Sequence, residues 1–75
     1  MDTKIQLRLD ECKELTSLLT HEPPFSDELR KRVREQLRQV VSQLWDDHKK
    51  YMGHKTHREC IWLVLNNGLA ALNRA

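Results

Sequence analysis

Seventy-five residues, 39% of them hydrophobic and 32% charged, describe one domain, too apolar to stay disordered and too charged to live in a bilayer. A chain of this length hides only about 60% of the surface that its unfolded form exposes, so its own core is marginal. The net charge of +2 is too small to define a partner and falls short of the strongly basic balance of a dedicated nucleic-acid binder.

That charge is uneven. Residues 1–25 carry three basic and five acidic side chains, residues 26–52 seven and five, and residues 53–75 three and one. The longest apolar run, Cys60 to Leu65, is six residues, against about 20 for a membrane span. The opening MDTKIQLRLDE mixes charges and has no apolar run, so a secretory signal is not expected and the chain is read as cytoplasmic. Two cysteines, Cys12 and Cys60, are too few for a disulfide scaffold and are expected to be free, buried thiols.

The first helix is predicted over about residues 3–20. Ile5, Leu9, Cys12, Leu15, Leu18 and Leu19 form its apolar stripe, Thr3 and Gln6 fit a capping box, and Glu22-Pro23-Pro24 is the stop. The second is predicted over about 26–52. Ser26 is its N-cap, and Asp27 and Glu28 suit the positive end of its dipole. Its stripe runs through Leu29, Val33, Leu37, Val40, Val41, Leu44, Trp45, His48, Tyr51 and Met52. Gly53 is expected to end it in a left-handed conformation. The third is predicted over about 56–74, opened by a capping box at Thr56 and Glu59 and apolar nearly all round, with Leu63 and Ala70 opposite the main stripe. Gly68 and Ala71 offer another helix a close approach. The fold expected is all-α: a small three-helix domain, a long helical hairpin with the N-terminal helix packed on it.

Two long apolar faces in so short a chain point to burial against something else. The sequence therefore predicts a non-enzymatic protein-binding module, an adaptor, inhibitor or co-chaperone, that is a homodimer or higher oligomer. The interface residues it selects are Leu37, Val41, Leu44, Trp45, His48, Tyr51, Met52, Trp62, Leu63 and Leu69. An imidazole in that stripe, His48, would make such association pH-dependent. The alternative is a nucleic-acid-binding regulator whose Lys31, Arg34 and Arg38, on one helical face, track phosphates.

His54, His57 and Cys60 have a spacing that suits zinc, but the paired cysteines of a structural site are missing, so no metal or cofactor is expected. No Gly-rich phosphate loop or Ser/His/Asp set occurs, so no enzymatic activity is expected. In outline such a hairpin resembles several unrelated classes: co-chaperones of type III secretion needle subunits, anti-activators of transcription factors, and small phage inhibitors of host proteins. The resemblance is one of architecture and implies no residue roles.

Overall fold

The computed structural model describes residues 2–20 and 26–74. Three helices occupy almost all of them: α1 (Thr3–Thr20), α2 (Asp27–Lys50) and α3 (Lys55–Arg74). Each packs on both others, giving an all-α three-helix domain 42 × 20 × 15 Å across. At about 1.5 Å per residue, α2 alone is about 36 Å long and sets the long dimension.

The helix ends follow local chemistry. Asp2, not Thr3, caps α1: its Oδ1 accepts from the Lys4 amide at 3.0 Å, while Gln6 turns its side-chain amide to Asp10 at 3.3 Å instead of reaching back. A carboxylate one residue earlier accepts the bond and adds favourable charge at the dipole's positive end. Ser26 caps α2 as expected, its Oγ accepting from the Leu29 amide at 3.2 Å. At the third start the first helical bond runs from the Arg58 amide to the His54 carbonyl at 2.9 Å, so Thr56 already lies inside α3 and its capping box does not form. The Glu22-Pro23-Pro24 stop lies outside the described residues.

Gly53 does not take the left-handed conformation expected of it. α2 closes two residues earlier than predicted, by a tightened turn from the Tyr51 amide to the His48 carbonyl at 3.2 Å. His54 then donates back to the Tyr51 carbonyl, and Arg58 Nη1 donates to the Met52 carbonyl at 3.1 Å. These bonds fold α3 against α2 without a special glycine.

The core is built from Ile5, Leu9, Cys12 and Leu15 of α1, Val33, Leu37, Val40, Val41 and Leu44 of α2, and Ile61, Val64, Leu65 and Ala71 of α3. Gly68 is where the three helices meet. A β-carbon there would stand 2.9 Å from Val41 Cγ2 and 3.1 Å from Cys12 Sγ. The helices expected to approach this small-residue patch are thus α1 and α2 of the same chain. Cys12 lies at the same junction, with Sγ 3.7 Å from the Val64 carbonyl, and burial raises its thiol pKa. Cys60 departs from expectation, since it is exposed.

One buried group was not foreseen. Asp47, only 1% exposed, sits among the aliphatic residues of α2. Arg8 Nη1 of α1 donates to both of its carboxylate oxygens, at 2.8 and 2.7 Å, and Lys50 stands 3.7 Å away. A buried carboxylate needs such partners to offset its lost hydration. The bridge ties the start of α1 to the end of α2, so the two run antiparallel.

Candidate interaction surface at the α2–α3 flank

The flank between α2 and α3 gathers both exposed tryptophans together with Met52 and Leu69. Trp45 and Trp62 are 41% and 42% exposed, and their rings lie 5.7 Å apart, tilted by 47°. His48, half-buried, completes a triangle: its ring is 5.4 Å from Trp45 and 5.2 Å from Trp62. Its Nδ1 lies 3.3 Å from the Trp45 carbonyl. Lys49 Nζ lies 5.9 Å from the centre of the Trp45 ring. Met52, 58% exposed, joins His48, Trp62, Arg58 and Glu59 around a shallow depression.

Helical geometry explains the gathering. Trp45 stands one step off the buried arc of Leu37, Val41 and Leu44, on the side of α2 that borders α3. Trp62 and Leu69, seven apart, lie about 20° from each other on the side of α3 that borders α2. Antiparallel packing then lays the two edges together. Arg34, Arg38 and Trp45 fall within about 40° around α2, so the basic residues continue the aromatic edge along the helix.

The basic side chains there have no carboxylate partner among the described residues. The ion pairs found all involve Asp47. Arg34 is half-buried and its Nε makes no hydrogen bond, whereas Lys31 and Arg38 are exposed.

The residues selected from sequence separate into three places. Leu37, Val41 and Leu44 are inside the domain's own core, covered by α1 and α3. Trp45, His48, Met52, Trp62 and Leu69 line the flank. Leu63, 64% exposed, points to the other side of α3, into a groove with Thr16, Thr20 and Asn67. Tyr51 turns away from the tryptophans and forms edge contacts with His54 and His57, with ring centres 5.8 and 5.3 Å apart.

His54 and His57 stack at 6.1 Å, and His57 Nδ1 is buried without a hydrogen-bond partner. Among the described residues no three His, Cys, Asp or Glu side chains converge as metal ligands would. No helix there is long and apolar enough to cross a membrane. No family model, no curated protein and no solved structure matches this chain.

Proposed function

We propose that this chain is a non-enzymatic helical module that docks a protein partner on the α2–α3 flank. The observation that carries the reading is the pair of half-exposed indoles, Trp45 and Trp62, in mutual contact with His48 and beside Met52. Large aromatics presented on a rigid helical frame are what protein interfaces use as anchors. Covering the accessible part of each indole stabilises a complex by roughly 2 kcal/mol. Adaptor, inhibitor and co-chaperone are roles that such a surface can fill. Two free thiols, one of them exposed, suit a cytoplasmic setting.

The experiment is affinity capture from the native host with wild type, Trp45→Ala and Arg34→Ala, each verified as helical by circular dichroism. The proposal expects a specific protein to be retained by wild type at high salt. Trp45→Ala weakens its binding by about 2 kcal/mol, and Arg34→Ala by less than about 1 kcal/mol. Normal capture by Trp45→Ala would overturn the proposal.

The second reading, a nucleic-acid regulator, draws support from one observation: Lys31, Arg34 and Arg38 run along the edge that bears Trp45. It expects the reverse ranking, with Arg34→Ala the more damaging and the salt dependence reduced by about one counterion.

A further inference from the structure

We infer that the α2–α3 flank is occupied by the outward face of α1 from a second copy of this chain, in a head-to-tail arrangement. The inference rests on the docking role proposed for that flank and names its occupant. Two exposed faces of the same molecule are complementary. The outward face of α1 carries Leu7, Asp10, Glu11, Glu14 and Leu18, with Leu7 63% and Leu18 37% exposed. None of its three acids has an ion-pair partner among the described residues; Asp10 accepts only from the Gln6 amide. Lys4 and Lys13 stand towards the rims of this face.

Opposite charge is matched by compatible spacing along the two helices. A leucine seated on the Trp45–Trp62 pair places the α1 acids about 5 to 12 Å further along the axis. Arg38 lies about 10 Å from Trp45 on the same edge. The match holds for either leucine.

A two-fold dimer through the flank is disfavoured by the same charges. With the helices parallel it would set Lys31, Arg34 and Arg38 of one copy against those of the other, where like charges oppose association, and with the helices antiparallel about Trp45 it would leave the α1 acids unmatched. A head-to-tail contact instead leaves each copy with one free face of each kind. Association therefore continues past the dimer unless it closes into a ring.

The test is sedimentation equilibrium on the full chain and two blocked variants. One variant neutralises α1 (Asp10→Asn, Glu11→Gln, Glu14→Gln), and the other neutralises the flank (Arg34→Gln, Arg38→Gln). All these positions except the half-buried Arg34 are exposed, and Lys31→Gln with Arg38→Gln serves as the flank variant if Arg34→Gln disturbs folding.

The inference expects wild type to exceed twice 9.0 kDa as concentration rises, with added salt weakening this association without abolishing it, because the tryptophan contact persists. Each variant alone associates at least about tenfold more weakly. Their equimolar mixture recovers a complex that stops at twice 9.0 kDa, because it has only one intact pair of faces. Wild type that stays at 9.0 kDa throughout overturns the inference, and the capture experiment then judges the docking reading on its own. Undiminished association of the α1 variant beside loss in the flank variant removes α1 as the occupant and leaves the flank as a self-docking surface. A monomer whose tryptophan fluorescence responds to oligothymidylate, and loses that response in the flank variant, gives the flank to nucleic acid and overturns both.

Discussion

Asp47 and Gly68 are the two residues on which the packing of the three helices turns most sharply. Asp47 is buried with its carboxylate held by Arg8 from α1. Removing Arg8 strands a charge beneath apolar neighbours. Because the Arg8 side chain is itself 31% exposed, water screens part of the penalty. Arg8→Ala is expected to cost about 2 kcal/mol in urea unfolding. Lys50→Ala, which removes an exposed partner 3.7 Å away, should cost less than about 0.5 kcal/mol. Equal effects would show that the bridge does not anchor α1. Gly68 and Gly53 form a similar contrast. A methyl at Gly68 would press on Val41 and Cys12, so Gly68→Ala should destabilise by about 1–3 kcal/mol. Gly53 has open space around it and no positive φ, so Gly53→Ala should be neutral or stabilise by up to about 1 kcal/mol.

The two thiols differ in the same measurable way. In the native protein a disulfide reagent should modify Cys60 quickly and Cys12 only as fast as the domain opens. Equal rates for both would contradict the burial of Cys12. Burial holds the Cys12 thiol above the ordinary 9.0, the Glu11 charge adds to this, and the hydroxyl of Thr16 opposes it. A raised folded-state value means that the folded chain keeps its proton longer than the unfolded chain. The stabilisation is complete below about pH 9 and is lost as pH rises through the folded value. Thermal melts should therefore show the stability gap between wild type and Cys12→Ala narrowing above that pH.

At the scale of the elements, periodicity was enough to place all three helices within a few residues, because each stripe repeats with helical spacing and each begins near a polar cap. The ends were harder to read. Asp2 and Thr3 are both good caps, and only the backbone path decides that Asp2 takes the role. Gly53 looked like a left-handed terminator, but Tyr51, His54 and Arg58 close the turn with ordinary bonds. Asp47 was missed because an acid beside another acid, in a helix rich in lysine and arginine, reads as solvated. Its burial depends on Arg8, thirty-nine positions away.

The candidate surface was legible in part for a related reason. A stripe shows that a face is apolar without showing which neighbour covers it. Leu37, Val41 and Leu44 are covered by α1 and α3, whereas Trp45, Met52 and Trp62 at the edges remain open. Read by charge alone, Lys31, Arg34 and Arg38 form a face separate from the apolar stripe. Counting turns from Arg34 through Arg38 to Trp45 places them along the same edge, which is a property of spacing and was available from the sequence.

For the whole molecule, three helices suffice to bury one core from end to end, and what stays outside is sorted by side. Aromatic and basic groups share the α2–α3 flank, acids and two leucines share the outer face of α1, and Leu63 lies in a separate groove. The first of these surfaces is the one proposed to dock a protein. Site-specific photo-crosslinking tests that claim most directly, with a photoreactive phenylalanine analogue introduced in living cells at exposed positions on different sides. Lys49 and Glu59 stand beside the tryptophans, whereas Gln36 and Ala70 lie away from them. The account predicts discrete protein adducts from positions 49 and 59, lost when Trp45→Ala is added, and none from positions 36 and 70. Adducts confined to positions 36 or 70, or equal at all four and unchanged by Trp45→Ala, would contradict it.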